Sequence, residues 1–322
     1  MPKKTIHKKN KSFTSDKITY IENPKILTNN DFPKFTYDGG DGFKTLKITL
    51  SSIQNNEQNG GLFGFFDNKS SNKKIPYNID SLIYAEGGAM NYMTNDVTLV
   101  SSAKNGWIGS FLRSLSGATF FLSSIVNEGN KDGIVSLSPP TPGDIGCFYI
   151  PPGKTFIIVS NSYIASTNNL KISSVAKLGG VITGYGIFYT SIESVDNNAG
   201  LVWISSFGKL TEYLLKPNEK IKVDNGIILA FDSTIQFSTS LAGKGLLSSI
   251  FSKEGLISVF ENNTNSNITI YLQGRSIKSY NDYIANIASK VYIANVASNL
   301  YLNNRPNSGL SIGNLSPFNN NI

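Results

Sequence analysis

Histidine is almost absent from this chain. Of 322 residues one is histidine, His7, and it lies among lysines at the N-terminus. That excludes a Ser-His-acid triad, a histidine general base and a histidine-ligated zinc site from the rest of the chain. Cysteine is as scarce. With Cys147 the single cysteine, no intramolecular disulfide can form, which fits a reducing compartment. Cys147 stands in the apolar run "DIGCFYI" and reads as a buried, inert thiol. No stretch of 18 or more apolar residues occurs, so no membrane-spanning helix is expected. No secretion signal is apparent either. The tripeptides Asn68-Lys69-Ser70 and Asn267-Ile268-Thr269 fit a glycosylation pattern but are idle without export. The glycine strings "GGLFGFF" and "KLGGVITGYG" lack the Gly-Lys-Ser/Thr ending of a phosphate loop.

Charge is also sparse, at 16% of residues, while hydrophobic residues make up 40%. A globular body with a sizeable core follows. The net charge of +7 is partly concentrated in the N-terminal "MPKKTIHKKNKSF", where Lys3, Lys4, Lys8, Lys9 and Lys11 precede the first acid, Asp16. Such a run reads as a solvated tail. Its functional alternative is a contact with nucleic acid or another polyanion through counterion release. The tail is Lys-rich and lacks an apolar face, unlike an Arg-rich amphipathic mitochondrial presequence.

What the chain has in quantity is Val, Ile, Thr, Ser, Phe and Tyr in alternating runs, which favours strands. Residues 1–30 read as a flexible basic arm, and a strand is expected in "FKTLKITL". A polar insertion then carries Phe63, Phe65 and Phe66, which are expected to pack onto the body; exposed, they would form an apolar patch. From residue 75 onward two motifs alternate three times, predicting pseudo-repeats over about 75–138, 139–205 and 206–275. The first motif is two apolar runs around a tight turn: Glu86-Gly87-Gly88, Ser160-Asn161-Ser162 and Asp224-Asn225-Gly226. These turns read as β-hairpins, the last most strongly. The second motif is a β-rich run closed by a polar loop, "NEGNKDG", "SVDNNAG" or "NNTNSN". No strand–helix–strand alternation appears, so an all-β body over 31–276 is expected rather than a doubly wound fold. Residues 277–322 differ. Tyr283, Ile287, Val291 and Ala294 stand at near-helical spacing, predicting a short helix or a β extension before an Asn-rich disordered tail.

The segment "KPNEKIKVDNGIILAFD" brings Glu219, Asp224 and Asp232 close together in sequence. A glycosidase would need two such acids converging in a cleft. Each has a local use instead: Asp224 opens a turn, Asp232 closes the following strand, and Glu219 adjoins Pro217-Asn218. The other two copies of the motif carry serine at Ser160 and Ser166, where acids would be required. "PPTPGD", Pro139–Asp144, reads as a corner between repeats with Asp144 capping it. No catalytic residue, cofactor or metal site is expected, and the chain is not expected to be an enzyme.

Several of these segments, taken in order, resemble the AIM24 family, whose domain is also described as tryptophan-RNA-binding-attenuator-like (TRAP-like). They are "GGAMNYMTNDVTL", "SGATFFLSSI", "LSPPTPGDIGCFYI", "SYIAST", "LKPNEKIKVDNGIILAFDSTIQF", "SKEGLISVF" and "IYLQGRS", spanning about 35–276. The chain departs from the family pattern at Ala118, where the family has Glu, and at Asn218, where it has Gly. The loop "ESVDNNAGLV" is also longer, and the terminal arms have no counterpart. The resemblance implies a β-prism or double-stranded β-helix body that self-associates, with no established reaction. It is also the sole ground for a mitochondrial association. Two functions are carried forward: a non-catalytic scaffold that forms homo-oligomers and holds protein partners, and a polyanion binder using the Lys3–Lys11 arm.

Overall fold

The computed structural model describes residues 12–28, 31–52, 79–101, 122–175, 177–178, 181–182, 189–194, 197–241 and 256–303. They fall into two units, one ending at Ser276 and one beginning at Ile277. The first is built from antiparallel sheets of seven, six, four, three and two strands. In chain order the strands of the four larger sheets are β1 (Thr19–Tyr20), β2 (Lys34–Asp38), β3 (Thr45–Leu50), β4 (Leu82–Glu86), β5 (Met90–Met93), β6 (Val97–Ser101), β7 (Leu122–Asn127) and β8 (Gly133–Leu137). Then come β9 (Ile145–Ile150), β10 (Thr155–Val159), β11 (Tyr163–Thr167) and β12 (Leu170–Val175). After the small pair β13 (Lys177–Leu178) and β14 (Val181–Ile182) follow β15 (Tyr189–Ser194), β16 (Gly200–Ser205), β17 (Leu210–Leu215) and β18 (Lys220–Asp224). The last are β19 (Ile228–Asp232), β20 (Gln236–Leu241), β21 (Leu256–Glu261) and β22 (Ile268–Gln273).

The four larger sheets stack as layers, and the burial pattern shows why. In β9 and β16 every residue is buried. Ile145, Cys147, Tyr149, Leu201 and Trp203 face one core, while Phe148, Ile150, Val202 and Ile204 face the next. A strand alternates its side chains between two faces, so a continuous apolar run is needed where both faces are covered. The first core is closed by Leu46, Ile48, Val135 and Leu137 of the four-stranded sheet β2-β3-β8-β5. The second lies between the seven- and six-stranded sheets. In the third, Ile157, Phe231 and Ile270 of the six-stranded sheet meet Val223, Phe237 and Phe260 of the three-stranded sheet β18-β21-β20. The outer sheets alternate instead. In β3 the buried Leu46, Ile48 and Leu50 interleave with Thr45, Lys47 and Thr49, and in β18 Lys220, Lys222 and Asp224 are exposed. Burying a side chain such as Phe148 or Phe231 contributes about 2–3 kcal/mol, so the double-faced layers hold most of the apolar stabilisation.

One order of pairing recurs. β3 pairs with β8, β8 with β5, β4 with β7 and β7 with β6. The same four pairings join β9, β10, β11, β12, β15 and β16. They occur again among β17 to β22. In each set the third strand is bulged against the sixth at one place: between Met90 and Tyr92, Tyr163 and Ala165, and Ile228 and Ala230. β4 joins β11, and β10 joins β19, across consecutive sets.

The three tight turns are not hairpins. β18 pairs with β21, whereas its successor β19 pairs with β10 and β22 in another sheet. The turn residues Asn225–Ile227 form one turn of 3-10 helix, as do Ser160–Ser162, and each carries the chain from one layer to the next. The Asp224 cap is as read from the sequence. What the sequence does not state is that each flanking strand finds a longer-range partner.

Part of the segment expected to be a flexible arm is built into the body. Within residues 12–28, β1 pairs with β9, Ile21 and Leu27 are buried, and the Phe13 ring meets Tyr149 edge-on at 5.2 Å. The second unit contains the helix α1, Ile277–Asn303, of 27 residues, longer than the short helix expected.

Candidate functional site

The three carboxylates singled out by sequence are each held in their own turn. Glu219 Oε2 accepts from the Lys216 amide at 2.8 Å and Oε1 from the Tyr213 hydroxyl at 2.8 Å. The backbone bond comes first among the causes that hold its carboxyl below the usual range. Asp224 Oδ1 accepts from the Gly226 amide at 2.8 Å. Asp232 Oδ1 accepts from the amide and hydroxyl of Thr234 at 2.9 and 2.7 Å. All three act as turn caps.

Asp144 is the most heavily engaged acid of the body. Its side chain is buried and bonded from three directions: the Gly42 amide at 3.0 Å, the Leu210 amide at 3.0 Å and the Lys44 ammonium at 3.2 Å. Burial opposes its ionisation. The two amides and the ammonium outweigh that, and the carboxyl is held below its ordinary value. The preceding residue must be glycine, because a Cβ on Gly143 would lie 1.6 Å from the Ser206 carbonyl oxygen. Asp144 thus ties the turn before β3, the start of β9 and the start of β17 into one knot.

Two residues that sequence reasoning passed over as loop filler do comparable work. Asn127 donates to the carbonyls of Leu50 at 2.9 Å and Lys131 at 2.8 Å and accepts from the Gly129 amide at 3.0 Å. Asn262 donates to Leu215 at 2.9 Å and Ser266 at 2.8 Å and accepts from the Thr264 amide at 3.0 Å. Both are fully buried. The available signal was the Asn that heads two of the three polar loops, "NEGNKDG" and "NNTNSN".

One further acid is set apart by burial. Glu86, at the end of β4, is pushed up to about 7 by burial. Tyr84 lies on the same face of β4 by alternation, and its phenol is pushed up to about 12 by burial. The buried Tyr163 hydroxyl meets Ser166 Oγ at 2.9 Å and the Tyr84 carbonyl at 3.2 Å. This is a tyrosine-lined, half-buried carboxyl that can hold a proton near neutrality. Among the described residues no lysine is bonded to it.

Cys147 is buried, and burial pushes its thiol well above the ordinary value, as an inert core cysteine requires. Lys3, Lys4, Lys8, Lys9 and Lys11, with His7, lie outside the described residues, as do Phe63, Phe65, Phe66 and Ala118. Asn218 takes a left-handed φ of 61°, which explains why glycine suits that position and why asparagine is tolerated there. Among the described residues no cluster of three or more His, Cys, Asp or Glu could hold a metal ion. No described helix is long and apolar enough to cross a membrane.

Geometry and composition together define a layered protein built mostly of β-strands, in which Asp144, Glu219, Asp224 and Asp232 are held by backbone amides. The family described as "Mitochondrial biogenesis AIM24" matches residues 75–273, and the chain belongs to it. No curated protein matches the chain. A crystal structure of a structural-genomics target from Streptococcus pyogenes is similar, with a TM-score of 0.57 and 20% identity over 79% of this chain and 99% of that one. At that identity the likeness is one of fold.

Proposed function

We propose that this AIM24-family chain is a non-catalytic β-scaffold that self-associates and holds partner proteins in an assembly, including one that organises a membrane. The observation that carries this reading is the fate of the charged groups. Glu219, Asp224, Asp232 and Asp144 are each consumed by backbone amides, as a framework needs and an acid–base catalyst does not. In the same reading the body is three copies of a six-strand module of the prism or double-stranded β-helix kind. The recurring pairing order and the recurring bulge support it.

The competing reading, polyanion binding, rests on the Lys3–Lys11 run. The two separate in a full-length variant with Lys3, Lys4, Lys8, Lys9 and Lys11 replaced by Gln. The scaffold reading expects an unchanged oligomer mass by light scattering. An oligomer that needs those lysines, together with salt-sensitive RNA or heparin binding that vanishes in the variant, would give the role to the arm. Truncation to residue 30 is a poorer test, because Phe13, Ile21 and Leu27 belong to the core.

A further inference from the structure

β4, β10 and β18 stand second in their sets, and β5, β11 and β19 stand third. Twice in the body, the second strand of one set pairs antiparallel with the third strand of the next. The register is the same both times. Ile83, Tyr84 and Ala85 lie opposite Thr167, Ser166 and Ala165. Phe156, Ile157 and Ile158 lie opposite Asp232, Phe231 and Ala230. In each case the second, third and fourth residues of one strand meet the fifth, fourth and third residues of the other. The succession stops at the first and last sets. β18 is the second strand of the last set, β5 is the third strand of the first, and each is the edge of its own sheet among the described strands.

These two edges complement each other. Set side by side, β18 of one copy and β5 of another complete a sheet of order β2-β3-β8-β5-β18-β21-β20. That is the order of the seven-stranded sheet β1-β9-β16-β11-β4-β7-β6, set position for set position, including the additional strand beyond the first. β5 also carries the bulge that β11 and β19 carry, between Met90 and Tyr92. The side chains agree. Met90 and Tyr92 correspond to Tyr163 and Ala165 in β11 and to Ile228 and Ala230 in β19. Those four are fully buried, whereas Met90 is 36% and Tyr92 50% exposed. The one third strand without a second strand beside it is the one that exposes its apolar residues. On β18, Lys220 is engaged by Glu261 of β21 at 2.9 Å, across the face of the sheet. Edge lysines discourage unselected strands. In the recurring register Lys222 lies opposite Met93, where its stem can cover the thioether while its ammonium stays in water.

We infer that β18 of one copy of this chain pairs antiparallel with β5 of a second copy, with Ile221 opposite Thr94, Lys222 opposite Met93 and Val223 opposite Tyr92. The inference rests on the self-association proposed above and names the two surfaces that meet. Because those surfaces differ, the contact runs head to tail, and successive copies close into a ring or extend as a filament. Backbone hydrogen bonds hold the junction, as in other strand additions, and the register selects the partner.

The test uses the full-length protein. The double variant Met93→Cys/Lys222→Cys, treated with a short bismaleimide, is expected to give a ladder of covalent multimers. Neither single variant is expected to give one, since each residue meets its opposite and not itself; Cys147 is buried and silent. In sedimentation velocity Tyr92→Lys, which sets a charge against Val223, is expected to fall to the monomer mass. Leu214→Lys, at an exposed residue on the edge strand β17 of another sheet, is expected to keep the oligomer. Unchanged circular dichroism in both variants guards against loss of fold. Absence of the ladder, a covalent dimer from either single variant, or an oligomer that survives Tyr92→Lys overturns the pairing but leaves self-association standing. A wild-type monomer overturns both, and protection of its β5 amides from hydrogen exchange would give that edge to a segment of the same chain.

Discussion

Asn127 and Asn262 make the same three hydrogen bonds at opposite ends of the layered body. Each donates to the carbonyl that ends the first strand of its set, Leu50 or Leu215, and to the carbonyl four residues on, Lys131 or Ser266. Each also accepts from the amide two residues on. Removing either side chain strands two carbonyls and an amide where water has little access. Asn127→Ala and Asn262→Ala are each expected to cost about 2–4 kcal/mol, with similar values at the two sites. Urea denaturation measures both, and a cost below 1 kcal/mol at either would show that water replaces the side chain.

Asp144 gives the body a pH dependence of definite sign. Its folded pKa lies below its unfolded value, so the knot's contribution is present above the unfolded value and is lost as pH falls through the folded one. Asp144→Asn is expected to destabilise the protein at pH 7 by roughly 1–3 kcal/mol. The gap to wild type should narrow below about pH 4. Denaturation midpoints between pH 3 and 8 test this. A gap that widens in acid would contradict it.

Glu86 works in the opposite sense. Burial raises its folded pKa to about 7, above its unfolded value. The protonated carboxyl favours the fold below the unfolded value, and that contribution is lost as pH rises towards and through 7. Glu86→Gln is expected to flatten the stability profile between about pH 4.5 and 7 and to melt higher than wild type at pH 8. Thermal midpoints at pH 5 and pH 8 decide it.

Asn218 holds its left-handed conformation at a cost that glycine does not bear. Asn218→Gly is expected to be neutral or mildly stabilising, and Asn218→Ala to cost about 1 kcal/mol. Equal effects of the two substitutions would mean that the backbone shifts out of that conformation.

The strands were legible because double-faced burial writes itself as apolar runs such as "IGCFYI" and "LVWIS". Their partners were not. Asp224-Asn225-Gly226 has the chemistry of a hairpin, and an Asp cap on a 3-10 turn serves a change of layer equally well. The difference lies in β21 and β10, which capture the two flanking strands from elsewhere in the chain. The N-terminal segment is ordered for a similar reason, by a partner remote in sequence. Nothing local to Ile21 and Leu27 shows that β1 pairs with β9 or that the two side chains reach the core. At the candidate site, the local roles of Glu219, Asp224 and Asp232 could be read from adjacent turn residues. Those of Asn127, Asn262 and Glu86 depend on strands remote in sequence.

The central claim is that the chain is a self-associating scaffold rather than a polyanion binder. Size-exclusion chromatography with light scattering, read at 260 and 280 nm in low and high salt, tests it most directly. The account expects one discrete oligomer, free of nucleic acid, with a mass indifferent to salt. A monomer, or a complex rich in 260 nm absorbance that falls apart in high salt, would contradict it.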